Sequence, residues 1–148
     1  MKSRIARLVC ALLPVAIAAH AAAPAEGPHV GPDKVVYHIS DTDAQVSRTI
    51  VYINNHLEVN PKAKIVVVTH AFGVDFLMAG AKNKTGNPYN IPVAGLAMRG
   101  VKFEVCEITL RERKLERSQF IPEATFVPSG VAEVARLQQR EGYAYLRP

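Results

Sequence analysis

One short segment, residues 65–70, constrains the fold of this chain more than any other. It reads Ile-Val-Val-Val-Thr-His, so apolar and β-branched residues follow one another without polar alternation. A strand with one wet face shows such alternation, whereas an unbroken apolar run suits a strand that is covered on both faces. Strands of that kind occur in parallel sheets, where helices cover both sides. The segment therefore predicts a buried strand of a parallel sheet.

Strand-like and helix-like segments alternate along the rest of the chain. Runs rich in β-branched and aromatic residues predict strands at Lys34–Ile39, Ile65–His70, Val101–Val105, Thr125–Val127 and Tyr143–Leu146. After the first strand, apolar residues recur at spacings of four, three and four, as on one face of a helix: Val46, Ile50, Ile53 and Leu57. Asn60 and Pro61 end that helix.

Further helices are predicted between the later strands. Residues 72–81 are expected to form a short helix. The next helix begins at Asn90 and directs Ile91, Gly95 and Met98 toward the core. Ser129 begins the last helix, which carries Val131, Val134 and Ala135.

The order of these segments, β-α-β-α-β-α-β-α-β, predicts the fold class. It is typical of an α/β protein in which right-handed crossovers join parallel strands and place helices on both faces of the sheet. We therefore expect a five-stranded, mainly parallel sheet in a flavodoxin-like three-layer sandwich. The strand order expected for that arrangement is 2-1-3-4-5.

The first residues have the pattern of a secretory signal peptide. Three basic residues, Lys2, Arg4 and Arg7, precede an apolar run from Leu8 to Ala19. That run is too short for a membrane span, which needs about 20 apolar residues. The pattern predicts a protein that is exported to the periplasm and has no membrane span.

Small residues suited to signal cleavage follow the apolar run, at Ala21–Ala25. We expect residues 1–23 to be the cleaved signal peptide and residues 24–33, rich in Pro and Gly, to be a flexible arm. Residues 34–148 then form the α/β domain. The mature chain of roughly 125 residues suits one domain with one core.

The charge of the mature chain does not indicate a nucleic-acid partner. The full sequence has 18 basic and 13 acidic residues and a net charge of +5. Three of the basic residues and none of the acidic ones lie in the signal peptide, so the mature net charge is +2. Nucleic-acid-binding domains carry a stronger basic patch than this.

Three chemically versatile side chains occur at or near the ends of predicted strands. His38 belongs to the first strand, His70 ends the second and Cys106 follows the third. In open α/β sheets, sites form beyond the carboxyl ends of the strands. With strand one between strands two and three, all three side chains are expected on one edge of the sheet.

Cys106 is the strongest candidate among them. The other cysteine, Cys10, lies in the signal peptide, so the mature protein has one unpaired thiol. Thr109 and Glu112 form an S/T-x-x-E capping box that predicts a helix starting at Leu110. A helix N-terminus favours a thiolate nearby, whereas the carboxylates of Glu104 and Glu107 oppose it. A free cysteine can equally be an inert core residue.

No cofactor or metal is assigned from the sequence. The chain has no GxGxxG, Walker or GxSxG motif, and no close-spaced CxxC or HxxxH pair. The ligand types of His38, His70 and Cys106 would suit a metal, but the spacing does not indicate one. The histidines are instead candidate proton partners of the thiol.

Several motifs in a fixed order carry a family resemblance over residues 34–148. They are Lys34–Ile39, Ile65–His70 with Gly73 and Val74, Gly100–Phe103, Cys106–Leu110, Val127–Val131 and Gln138–Tyr145. In these segments the chain resembles the DsrE/DsrF-like sulfur-relay family. It departs from the family at Ile108, where members often have Asn.

The resemblance implies a five-stranded α/β domain that assembles with itself, as a homotrimer or hexamer. It also implies that Cys106, which matches the sulfur-carrying cysteine of cytoplasmic relay members, holds sulfur as a persulfide. The partner would be a sulfur-donor protein or a small sulfur compound. His70, His38 and Thr109 would support the thiol.

Two functions are therefore weighed. The first is an exported sulfur carrier that works through a persulfide or thiolate at Cys106. The alternative is a non-enzymatic oligomeric module that binds a small ligand or a metal, with Cys106 as a structural residue.

Overall fold

A sheet of five parallel strands forms the centre of the fold. The computed structural model describes residues 31–148, so the predicted signal peptide and most of the predicted arm lie outside the described residues. The strands are β1 (Lys34–Asp41), β2 (Lys64–Phe72), β3 (Lys102–Cys106), β4 (Ala124–Val127) and β5 (Ala144–Leu146). The helices are α1 (Thr42–Val59), α2 (Asn90–Met98), α3 (Glu107–Arg113) and α4 (Gly130–Glu141). The predicted α/β class with a parallel sheet is confirmed.

The strand order differs from the one predicted. The sheet has the order β4-β3-β2-β1-β5, so β2 is the central strand and β1 lies between β2 and β5. The prediction of 2-1-3-4-5 was wrong because hydrophobic patterns identify strands without identifying their neighbours. The run of residues 65–69 is buried throughout, as its central position requires.

This order determines which face each helix covers. The chain moves in one direction from β1 to β4 and then crosses back to place β5 beside β1. Because parallel crossovers are right-handed, the reversal puts the last helix on the opposite face from the others. The larger core accordingly includes residues of α1, α2 and α3, while α4 packs on a smaller cluster, Val36, Val66, Val68, Val134 and Leu137.

The buried face of α2 is also different from the prediction. Val93 and Leu96 are buried, whereas Ile91 is 68% and Met98 88% exposed. Nearly every residue of this helix is apolar, so its sequence contains no polar face from which the inner side could be identified. In α4, Val134 is buried as expected, but Val131 is exposed.

In place of the helix predicted over residues 72–81, Phe72 ends β2 and residues 73–81 form a loop with a short 3-10 turn at Asp75–Leu77. Backbone hydrogen bonds tie this loop to residues 119–121, with Met78 paired to Phe120 in an antiparallel bridge. The backbone groups that a helix would use are thus engaged with another segment. Within residues 31–148, no helix has the length and apolar character needed to cross a bilayer.

The turn after β2 requires a residue without a side chain at Gly73, and this requirement can be tested. A Cβ atom at this position would lie 2.3 Å from the backbone oxygen of Ile39, which belongs to the neighbouring strand. We expect Gly73→Ala to lower the free energy of unfolding by about 2–3 kcal/mol, since the two backbones must separate. The matched control is Gly95→Ala in α2, where a Cβ meets nothing within 4 Å. Urea denaturation should show that control unchanged or slightly stabilised, and equal losses in both variants would contradict the close approach.

Candidate functional site

The carboxyl edge of the sheet brings the three sequence-predicted side chains together, with His70 in the middle. His70 and Cys106 directly follow Thr69 and Val105, which are register partners on β2 and β3. The rings of His38 and His70 have their centroids 4.7 Å apart. These residues lie on the face of the sheet that α4 covers, because they alternate with the residues of the larger core.

Cys106 is the N-cap residue of α3, not a residue three positions before a helix cap. The predicted capping box at Thr109 is therefore wrong, and Thr109 lies within the first turn of a helix that starts at Glu107. Cys106 is buried, with 5% of its surface exposed. Its backbone leaves the strand and enters the helix at the thiol itself, so the helical N–H groups that follow lie close to the sulfur.

Those N–H groups determine the state of the thiol. Burial raises the pKa of the Cys106 thiol, but several hydrogen bonds donated to the sulfur outweigh this and bring the pKa below its usual value of 9.0. The donors are the backbone N–H groups of Gly130, Thr109 and Ile108 and the hydroxyl of Thr109. Hydrogen bonds of this kind favour the charged form of the group that accepts them. The site thus favours the thiolate through hydrogen bonds to the sulfur.

Thr109 is held in place by the last residues of β2, where the strand leads into the following loop. Its Oγ1 accepts a hydrogen bond of 2.9 Å from the backbone N–H of Ala71, which leaves the hydroxyl proton free to point to the sulfur. Ala71 has a positive φ of 50°, an uncommon conformation for a residue with a Cβ. Arg113 stabilises this loop, because its guanidinium donates to the Ala71 carbonyl at 2.9 Å and to Asp75 Oδ1 at 2.6 Å.

Gly130, the first residue of α4, covers the site on the face of the sheet against which α4 packs. A Cβ there would lie 3.2 Å from the Thr69 carbonyl oxygen, 3.3 Å from Cys106 Cβ and 3.5 Å from His70 Cβ. The absence of a side chain allows the N-terminus of α4 to approach the ends of β2 and β3. The Gly130 N–H can therefore reach the sulfur. Sequence analysis did not connect Gly130 to Cys106, although a glycine at a helix start, next to the capping Ser129, can offer its backbone N–H to an anion.

His38 is bound on one side and unpartnered on the other. Its Nδ1 lies 2.9 Å from the hydroxyl of Tyr145, while Nε2 is buried and has no hydrogen-bond partner in the described part of the chain. Burial, followed by the charges of His70 and Arg147, lowers the pKa of His38 from 6.5 to about 4. The ring is therefore neutral at physiological pH.

His70 is half-buried, and its ring makes no hydrogen bond to any residue between 31 and 148. Burial and then the charge of Arg147 lower the pKa of His70 below 6.5. A neutral imidazole next to the thiol can accept its proton or donate a hydrogen bond.

Tyr145 and Arg147 are further site residues that sequence reasoning missed. They reach the site because β5 lies beside β1, with Tyr145 paired to Val36 and hence on the same face as His38. The predicted strand order placed β5 away from β1, so the signal in the sequence, polar groups at the end of the last strand, was not connected to the histidines.

The two glutamates near the thiol do not act as the sequence suggested. Burial raises the pKa of Glu104 to about 7, with the charge of Glu133 adding to the effect, so this carboxyl is partly neutral at physiological pH. Glu107 forms an ion pair with Arg117. Neither carboxylate is thus free to oppose the thiolate at full strength. Over residues 31–148, no group of three or more His, Cys, Asp or Glu side chains could hold a metal ion.

Comparisons with known proteins agree with this fold. The sequence model of the DsrE/DsrF-like family matches residues 33–148. Among solved structures, a protein of unknown function from Methanobacterium thermoautotrophicum, MTH1491, is 31% identical with a TM-score of 0.70, covering 78% of this chain and 99% of its own. The ychN protein from E. coli is 13% identical with a TM-score of 0.65 over the same shares, a likeness of fold alone. A comparison with curated proteins finds no match.

The hydroxyl of Thr109 provides a direct test of how the thiol is stabilised. We expect Thr109→Val to raise the Cys106 pKa, because it removes one donor to the sulfur. It should also cost about 1–2 kcal/mol of stability, since the Ala71 N–H loses its acceptor. Thr109→Ser is the matched control, because it keeps the hydroxyl. The rate of alkylation by iodoacetamide as a function of pH measures the change, and an identical profile for Thr109→Val and wild type would refute this role.

The raised pKa of Glu104 predicts a pH-dependent stability. The unfolded carboxyl titrates near 4.5 and the folded one at about 7, so the folded state binds the proton more tightly. Stability from this group is full below pH 4.5 and is lost as the pH rises through 7. We expect Glu104→Gln to be more stable than wild type by about 1–3 kcal/mol at pH 8 and to differ little near pH 4. Glu112→Gln, at an exposed position, is the control. If the free energies of unfolding of Glu104→Gln and wild type change in parallel between pH 4 and 8, this titration is ruled out.

Proposed function

Because the chain belongs to the DsrE/DsrF-like family, we propose that it carries sulfur as a persulfide on Cys106. The observation that supports this most directly is the lowered pKa of a thiol that accepts hydrogen bonds from Gly130, Thr109 and Ile108. A thiolate is the nucleophilic form of cysteine, and the proposed chemistry needs a nucleophile.

The sulfur-loading step is a displacement at sulfur. The Cys106 thiolate attacks the outer sulfur of a sulfane-sulfur donor, so a bond forms between Sγ and that sulfur. The donor's own bond to the same sulfur breaks, and its electron pair leaves with the rest of the donor. The step needs no oxidant or reductant, because the bond that forms to the transferred sulfur replaces the bond that breaks and its oxidation state does not change. The same donors that favour a thiolate would then stabilise the negative terminal sulfur of the persulfide.

His70 is the proton partner that the geometry favours. It directly follows Thr69, the register partner of the residue before Cys106, and its lowered pKa keeps it neutral and able to accept the thiol proton. His38 lies behind it, in ring contact at 4.7 Å, and is held by Tyr145. We assign His38 to orienting the ring of His70.

The compartment and the assembly belong to the same proposal. Residues 1–23 have the pattern of a signal peptide, so we propose that the protein works in the periplasm. We also propose that it forms a homotrimer or hexamer, as the family resemblance implies. Sedimentation velocity of the mature protein would test the assembly.

The alternative function rests on one observation, the 5% exposure of Cys106. A thiol this deeply buried can serve as a small core residue. The protein would then be an oligomeric module that binds a small ligand, and its thiol would be inert.

Intact mass spectrometry after exposure to inorganic polysulfide separates the two functions. We expect the wild-type protein to gain the mass of one or more sulfur atoms and to lose it on treatment with dithiothreitol. Cys106→Ser is the matched control and should gain nothing, because it lacks the mature chain's only thiol. A wild-type protein that stays unmodified while an unfolded sample reacts would establish the inert, structural cysteine instead.

A further inference from the structure

Arg147 presents an unneutralised positive charge beside the candidate site. It is exposed, and within residues 31–148 its guanidinium makes one hydrogen bond, from Nη2 to the hydroxyl of Ser40 at 3.3 Å. No carboxylate within residues 31–148 forms an ion pair with it. The arginines elsewhere in the sheet-edge region are engaged: Arg113 with Asp75 and Arg117 with Glu107. Among the described residues, Arg147 thus lacks the carboxylate partner that Arg113 and Arg117 have.

The groups around Arg147 are also suited to contact an anion. Arg147 contacts Ser40, which lies two residues after His38 on β1, and its charge adds to burial in lowering the pKa of both His38 and His70. The ring of His70 has no hydrogen-bond partner among the described residues, and His38 can carry its proton on Nε2 when the Tyr145 hydroxyl donates to Nδ1. The result is a cluster of hydrogen-bond donors with one net positive charge. Such a cluster is complementary to a small anion.

The cluster is also next to the nucleophile. His70 Cβ and Cys106 Cβ both lie within 3.5 Å of the position that a Cβ on Gly130 would occupy. The side chains of His70 and Cys106 thus leave the backbone next to each other, at the N-terminus of α4. A small molecule can approach a thiol of 5% exposure more readily than a folded protein can.

We propose that His70 and Arg147, backed by His38, form an anion-binding subsite beside Cys106, and that the sulfur donor is a small sulfane-sulfur oxyanion. The choice of donor rests on the function proposed above, whereas the subsite stands on its own geometry. Inorganic thiosulfate is the simplest such donor. The Cys106 thiolate forms a bond to its outer sulfur, the bond between the two sulfur atoms of thiosulfate breaks, and sulfite leaves with the electron pair. The three negative charges of the reactants are conserved in the persulfide and sulfite.

Paired alkylating reagents test the subsite without any sulfur transfer. Iodoacetate and iodoacetamide modify a thiolate by the same displacement, but only iodoacetate is an anion. We expect Arg147→Gln to lower the ratio of the iodoacetate rate to the iodoacetamide rate by about tenfold at low salt, with the iodoacetamide rate nearly unchanged. Raising the salt concentration should reduce the wild-type ratio toward that of the variant.

Two matched variants control for charge and position. Arg147→Lys keeps the positive charge and should retain most of the wild-type ratio. Arg140→Gln removes the same charge from an exposed position in the last turn of α4, at the far end of that helix from Gly130, and should leave the ratio unchanged. A ratio in Arg147→Gln equal to that of wild type, or an equal fall in Arg140→Gln, would overturn the subsite.

Sulfur loading then tests the donor. Thiosulfate should add one sulfur to wild-type Cys106, and about tenfold more slowly to Arg147→Gln. Loading by polysulfide but not by thiosulfate would overturn the proposed donor and leave the persulfide function intact. Loading by neither reagent, with an alkylation ratio that still depends on Arg147, would overturn the persulfide function and leave the anion subsite intact.

Discussion

The close approach of Gly130 to the ends of β2 and β3 is the constraint on which the rest of the site depends. It requires a residue without a side chain, since a Cβ would lie 3.2 Å from the Thr69 carbonyl oxygen. It also requires α4 to start on the side of the sheet that the final crossover selects. With both conditions met, the N-termini of α3 and α4 converge on one sulfur atom. Neither helix alone supplies all the donors that the thiol accepts.

The electrostatics of the site follow from burial combined with directed hydrogen bonds. Burial by itself favours the neutral form of every titratable group, and His38, His70 and Glu104 all shift in that direction. Cys106 shifts the other way because its sulfur accepts hydrogen bonds from four donors, three of them backbone N–H groups. The site therefore shifts the thiol toward its charged form while the histidines and Glu104 shift toward their neutral forms. This combination suits a nucleophilic thiolate beside neutral imidazoles, which can accept or donate a proton.

The fold class was predictable from the sequence because hydrophobic patterns and helix boundaries are local. The run Ile65–His70 indicated a strand covered on both faces, and it is the central strand. Strand order is not local: the neighbour of β1 depends on packing between residues over 100 positions apart, as in the pairing of Val36 with Tyr145. The same difference between local and long-range information explains which residues of the candidate site could be predicted. Cys106, His70 and His38 could be selected by residue type, whereas Tyr145 and Arg147 become visible only when β5 is beside β1.

Because β5 is an edge strand, one half of the site is less firmly held than the other. This strand has three residues, all exposed, and in the part of the chain that the structure describes it pairs with β1 alone. Cys106 and Thr109, by contrast, belong to the rigid interior. Short, exposed edge strands open locally at a small free-energy cost, long before a domain unfolds. The half of the site that carries Tyr145 and Arg147 is therefore attached to a strand that can fray, whereas the thiol is fixed by buried elements.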